Sequence, residues 1–288
     1  MSAFAKPAGA HKFGDQDNLS GVWVSQVEVS HVGLTFVDVG DVIPYTEAST
    51  PKPSDKPKDP DGDPNAPSNV WVMHLSGAKI MQDLIDWSSS KKHYLVAPTQ
   101  LDPELAKTFP TYLANVVLNA KSSKIPFGIN WLGSKGTING DGLFVPRDGE
   151  EGFTCATFVC EAFRGFGLHV ANPEGWDDDK IESEKWRVKL VDELTAGKNT
   201  PQETIDKIVK ASPVVRLRPA EMAAGASMLP TGWPISSKAV EDLVVDILAD
   251  FAAAYPPPVK KPASVNAGAT PTNQMPQPGG ATTGDAGA

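Results

Sequence analysis

Hydrophobic positions along the chain change period twice. From Gly21 to Ser30 apolar and polar residues alternate, with Val22, Val24, Val27 and Val29 set against Ser25 and Glu28 and a slip near Gln26. A period of two predicts a strand. Val32–Val39, Asn69–Leu75 and His93–Ala97 read as three more strands. The period then lengthens. Leu105–Ala120 reads as a helix broken at Pro110, which lacks the N–H a helix interior needs. Thr154–Phe166 places Phe158, Val159, Ala162 and Phe163 on one face, a helical spacing, and Gly165 and Gly167 stop it. Glu203–Ala211 and Ser237–Tyr255 complete the helices; the second carries Val240, Leu243, Val244, Ile247, Leu248 and Phe251 as an apolar stripe. Strands precede the central helix without regular alternation. The expected class is therefore α+β, an antiparallel sheet with helices on one side.

Three segments break the pattern. Residues 1–18 are small and polar, and 47–68 are dense in Pro, Asp and Lys without a large apolar side chain. Residues 256–288 are mostly Pro, Ala, Gly, Thr and Asn. Such segments bury too little apolar surface to offset their ordering entropy. The expected organisation is a flexible N-terminus (1–18), one folded domain (19–255) with a disordered insertion (47–68), and a disordered tail (256–288).

Charge and cysteine usage narrow the function classes. The net charge is −9 with no basic stripe, so nucleic acid is not an expected partner. No run approaches the roughly 20 apolar residues of a membrane helix, and Met1–Asn18 lacks the apolar core of a secretory signal. The expectation is a protein cytoplasmic as synthesised, without a transmembrane segment; any export would use a route that needs no signal peptide. The two cysteines, Cys155 and Cys160, lie five apart on one expected helix, about 140° around its axis, which disfavours a disulfide between them.

Cys155 stands in the first turn of that helix, where unpaired N–H groups and the helix dipole favour thiolate and should lower its pKa. Taken alone, it reads more readily as a buried cysteine used as a small hydrophobe, the reading given to Cys160. A nucleophilic thiol needs a base and an orienting group for that base. Of the five histidines, His11 lies in the N-terminal segment, His169 follows the helix-ending glycines, and His93 starts a strand beside two lysines. His31 and His74 adjoin apolar strand residues, in His31-Val-Gly-Leu-Thr-Phe36 and Val70-Trp-Val-Met-His-Leu75.

These three pieces resemble the NlpC/P60 cysteine peptidases. That family pairs a Cys-Ser-x-Phe-Val helix start with a strand opening His-Val-Gly and a further strand ending Met-His-Ala-Ser. Here they read Cys155-Ala-Thr-Phe-Val159, His31-Val-Gly-Leu34 and Met73-His-Leu-Ser76. Both histidines precede the cysteine, the order of the circularly permuted branch that includes YiiX-like and lecithin-retinol-acyltransferase-like proteins. The resemblance spans about residues 20–170. It implies a papain-like fold, a circularly permuted antiparallel sheet packed on helices. It also implies Cys155 as nucleophile, His31 as base and His74 as the group orienting it, without metal or cofactor. The implied reaction is cleavage of an amide bond through an acyl-enzyme, with bacterial peptidoglycan peptide the leading substrate. Two positions depart from peptidoglycan-cutting members: Thr154 stands where an acidic residue often precedes the cysteine, and Phe127 in Ile125-Pro-Phe-Gly128 stands for a tyrosine. Thr154, Phe127 and Trp131 are the expected substrate-binding residues. The same fold also serves acyl transfer or thioester hydrolysis on lipid-like substrates, or binding without turnover. No residue pattern names an inhibitor or delivery partner.

Weaker motifs have plainer readings. Asp59-Pro-Asp-Gly-Asp63 lacks the twelfth-position glutamate of a calcium loop and reads as acidic linker. The glycines of 133–142 do not open a helix after a strand, so they do not form a phosphate loop. Zinc on His31 and His74 would need a third ligand that spacing does not supply.

Overall fold

A computed structural model describes residues 20–25, 31–37, 70–76, 79–84, 94–120, 125–131, 136–146, 152–174, 176, 179–197, 200–211 and 214–256. The segments expected to be unstructured, 1–18, 47–68 and 256–288, lie outside these residues except for Pro256, as does Gln26–Ser30 of the first expected strand. All described residues belong to one unit, Met1–Pro256. None of their helices is long and apolar enough to cross a membrane.

The class is α+β. Strands β1 (Ser20–Ser25), β2 (His31–Val37), β3 (Val70–Ser76), β4 (Lys79–Leu84) and β5 (Tyr94–Pro98) form one antiparallel sheet in the order β4-β3-β2-β1-β5. Helix α1 (Pro103–Ala120) follows, then a two-stranded ribbon of β6 (Thr137–Ile138) and β7 (Phe144–Val145). Five helices follow among the described residues: α2 (Cys155–Gly165), α3 (Lys180–Ala196), α4 (Gln202–Lys210), α5 (Pro219–Ala226) and, after a short 3-10 turn at Pro230–Gly232, α6 (Ser237–Ala254).

Strand alternation assigns two faces to the sheet. Val22, Val24, Val32, Leu34, Phe36, Met73, Leu75, Leu95 and Ala97 point one way and share a core with Phe109 and Leu113 of α1, Phe158, Val159 and Phe163 of α2, and Met222 and Ala223 of α5. The other face carries Trp23, His31, Gly33, Thr35, Val72 and His74, by the register that sets Trp23 opposite Gly33 and Thr35 opposite Val72. Trp23, Thr35 and Val72 are buried there as well. The central strands are thus buried on both faces, which explains why their sequences are more apolar than simple alternation requires.

Several expectations about elements are corrected. Helix α1 runs unbroken through Pro110. The proline costs the helix one hydrogen bond, but Phe109 and Leu113, both fully buried on the sheet, hold the turns on either side of it in place. Five elements went unforeseen: β4, the short strands β6 and β7, and helices α3 and α5. Helix α3 lacks a clear helical period of apolar residues: Ser183 is its buried residue, and Trp186, Leu190, Val191 and Leu194 are partly buried against the small core of Ile129, Ile208, Ala211 and Val214. It is held by the Asp179 cap and by the ion pairs Lys185–Glu182 and Arg187–Glu184. Helix α5 is buried throughout, so its sequence has no polar face to give it a period.

Candidate active site

The first turn of α2 is built by its cap. Thr154 holds extended backbone angles; its hydroxyl accepts from the Thr157 N–H, and the Thr157 hydroxyl accepts from the Thr154 N–H, a reciprocal capping box. The segment entering the cap is fixed by its neighbour: Phe153 donates its N–H to the Pro126 carbonyl at 3.0 Å, and Phe127 bridges Phe153 in parallel. The two backbones approach so closely that a Cβ on Gly152 would stand 1.5 Å from the Pro126 oxygen, so only glycine fits. Cys155 therefore occupies the first helical position, half-buried, while Cys160 is buried one and a half turns on.

Three backbone N–H groups address the Cys155 sulfur: those of Val32, Ala156 and Cys155 itself. Two belong to the start of α2. The third comes from β2, from the residue that follows His31, because α2 packs across β2 and β3. The amides and the Arg216 guanidinium favour thiolate, yet burial outweighs them and the thiol sits above its ordinary value. The expectation that the helix terminus lowers this pKa is therefore corrected: its amides do act on the sulfur, but desolvation is the larger effect.

The two histidines meet directly. His31 Nε2 and His74 Nδ1 are 2.7 Å apart, with the rings edge-to-face. The paired register of β2 and β3 runs from Val37↔Val70 to Leu34↔Met73, and both histidines lie just beyond its last pair. Trp23 backs them, its ring centroid 5.4 Å from each, and its indole N–H donates to the Leu34 carbonyl. This tilted, edge-on packing needs the space over Gly33, where a Cβ would lie 2.6 Å from the Trp23 ring. Burial, then the neighbouring His74, depress His31 to a pKa of about 4, so its ring is neutral at physiological pH. No hydrogen bond joins the His31 ring to the Cys155 sulfur; β2 links the two residues through the Val32 amide.

The remaining sequence-derived residues are placed as follows. Thr154 is the helix cap. Phe127 is half-buried beside a small second core of Ile129, Ile208, Ala211 and Val214. Trp131 is only 3% exposed, its ring edge-on to Trp176 at 5.3 Å, so it packs within the protein and offers no open face. Arg216 was not foreseen. It lies between α4 and α5 in an extended stretch joined to residues 130–131: Trp131 donates to the Val215 carbonyl, and Val215 donates to Asn130 Oδ1. Nothing local in the sequence marks it, because it nears Cys155 only through this long-range pairing. Among the described residues no group of three or more His, Cys, Asp or Glu side chains is placed to hold a metal ion.

Comparison with protein-family models, with curated proteins and with solved structures finds no match to this chain.

Proposed function

We propose that the protein is a thiol hydrolase of permuted NlpC/P60 type that cleaves an amide bond through Cys155, His31 and His74, with peptidoglycan peptide as the leading substrate. The observation that carries the reading is the 2.7 Å His31–His74 contact beside a helix-start cysteine whose sulfur faces three amides. With His31 Nε2 donating to His74 Nδ1, the second nitrogen of His31, Nδ1, keeps its lone pair for the thiol proton. His74 then fixes tautomer and ring orientation. Because the thiol is raised and His31 is lowered, the resting site holds a neutral pair. Proton transfer accompanies attack on the carbonyl, and the Cys155 and Ala156 amides at the head of α2 are placed to receive the developing oxyanion. Water cleaves the resulting acyl-enzyme.

One observation favours a second reading, a binding domain of the same fold without turnover: the sulfur takes the Val32 amide, and the His31 ring is not bonded to it.

The full chain should be incubated with muropeptides and the products followed by liquid chromatography and mass spectrometry. Hydrolysis by the wild type that is absent in Cys155→Ala and slowed on the order of 10²-fold or more in His31→Ala supports the hydrolase. Identical product profiles in wild type and Cys155→Ala would sink it. A stable acyl adduct on Cys155 from a lipid thioester, without muropeptide cleavage, would transfer the site to acyl chemistry.

A further inference from the structure

Three rings meet at the histidine pair. Trp23 lies 5.4 Å from His31, tilted by 60°, and 5.4 Å from His74, edge-on at 80°, while the two imidazoles are 4.8 Å apart and almost perpendicular. The single hydrogen bond between His31 Nε2 and His74 Nδ1, at 2.7 Å, sets a separation but leaves both rings free to twist about it. A third ring in contact with both removes that freedom. The indole is itself fixed from several directions. Its N–H donates to the Leu34 carbonyl at 3.1 Å. Its register partner across β1 and β2 is Gly33, where a Cβ would stand 2.6 Å from its six-membered ring. Trp23 is only 2% exposed, so the indole offers no face to a substrate, and whatever it does for a reaction passes through the histidines.

We infer that Trp23 is a positioning residue of the catalytic histidines: its indole covers one side of the His31–His74 hydrogen bond and holds both rings at the angle that proton transfer uses. The inference rests on the thiol-hydrolase reading and deepens it, adding a fourth residue that acts on the histidines and never touches substrate. With water kept from that side, the hydrogen bond is harder to break than an exposed one. The bridging proton then stays on one nitrogen, so a single tautomer persists and His31 keeps its other nitrogen as acceptor for the thiol. The same dry surroundings work against imidazolium, in keeping with burial as the first cause of the depression of His31, ahead of His74. Gly33 belongs to the same arrangement, since a side chain there would collide with the indole and with the Met73 carbonyl.

Nuclear magnetic resonance of the full chain carrying isotope-labelled histidine tests this without any substrate. An imidazole N–H open to water exchanges too fast to be seen, whereas a covered one gives a resolved signal. In the wild type near pH 7 the bridging N–H should be visible, and it should vanish in His74→Ala. Trp23→Leu, which keeps apolar bulk but removes the ring, should abolish the signal, mix the tautomers and raise the His31 titration from about 4 toward 6.5. Trp23→Phe, which keeps a ring but loses the N–H for Leu34, should fall between wild type and Trp23→Leu. Turnover should follow the same order, with kcat about tenfold lower in Trp23→Leu and KM within about twofold. A wild-type N–H that exchanges as fast as free imidazole overturns the inference, and that measurement needs no variant to fold. A folded Trp23→Leu with wild-type tautomer and titration overturns it too. Where Trp23→Leu does not fold, Trp23→Phe decides: partial loss of the signal supports the inference, and an unchanged signal and titration sink it. Histidine signals that respond to Trp23 while muropeptide cleavage fails would remove the hydrolase reading and leave an indole-braced histidine pair. Cleavage that needs Cys155, with histidine signals indifferent to Trp23→Leu, would keep the hydrolase and take Trp23 out of it.

Discussion

Cys155 and Cys160 share one helix, and their surroundings separate them. Cys160 is 3% exposed, its thiol donates to the Ala171 carbonyl at 3.7 Å, and burial followed by the neighbouring Glu161 pushes it up to about 12. Cys155 is buried enough to be raised too, but three amides and Arg216 oppose the shift. The comparison teaches that a helix N-terminus alone does not make a reactive thiol. What distinguishes Cys155 is that every polar neighbour acting on its sulfur stabilises the anion, so charge that develops there during a reaction meets groups already oriented toward it. At Cys160 the Glu161 carboxylate opposes that charge, and Arg164 offsets it only in part.

The sharpest way to break this contrast is to remove each sulfur in turn. Cys155→Ala should abolish turnover, a loss on the order of 10³-fold or more, with the fold retained. Cys160→Ala should leave turnover within about twofold and cost about 1 kcal/mol in denaturant unfolding, the loss of a small buried group. Activity that dies with Cys160 and survives loss of Cys155 would invert the assignment.

The second test uses pH. Unfolded histidine titrates near 6.5 and folded His31 near 4, so between these values the unfolded chain binds more protons. Stability should therefore fall as pH drops from 6.5 toward 4, by roughly 3 kcal/mol for this group alone. Under the proposed hydrolase reading, in which attack needs neutral His31, the same titration should set the acid limb of kcat/KM near pH 4. At the other end, the raised Cys155, Cys160 and Tyr112 all favour their neutral forms in the fold. Stability should decline again as pH rises past about 9, where an unfolded thiol ionises. Chemical denaturation from pH 4 to 10 should therefore show a dome, and His31→Gln should flatten its acid side; an acid limb unchanged by His31→Gln would place that titration elsewhere.

How far these features were legible depends on the length scale that creates them. Strands β1, β2, β3 and β5 announce themselves by short-range alternation, and α2 by its apolar face and glycine stop. Helix α3 escapes because its apolar residues follow no clear helical period, and α5 because it is buried throughout, so hydrophobic period is blind to both. The break expected at Pro110 failed for the opposite reason: a local rule was overruled by Phe109 and Leu113 packing in the core of a sheet whose strands run from Ser20 to Pro98. At the site, Cys155, His31 and His74 could be named from local motifs, but the depression of His31, the raising of Cys155 and the arrival of Arg216 all come from burial and long-range pairing that no local pattern encodes.

The smallest expected effect concerns what holds Cys155 in place. Thr154→Ala removes the hydroxyl that accepts from the Thr157 N–H and also the partner of the Thr157 hydroxyl, while leaving the backbone bridge of Phe153 to Phe127 intact. Loss of a threonine cap should cost about 1 kcal/mol in urea unfolding. Thr154→Ser, which keeps the cap oxygen, should recover most of it. If the bridge alone positions the sulfur, turnover per folded molecule will match wild type in both variants. If the cap matters, Thr154→Ala will lose activity beyond its loss of stability, and Thr154→Ser will restore it. The cap at Thr154 has no counterpart at Cys160, which lies within the helix and is positioned by core packing. A Thr154→Ala variant whose Cys155 alkylation rate shifts while Cys160 stays inert would locate the difference between the two thiols in the first turn of α2.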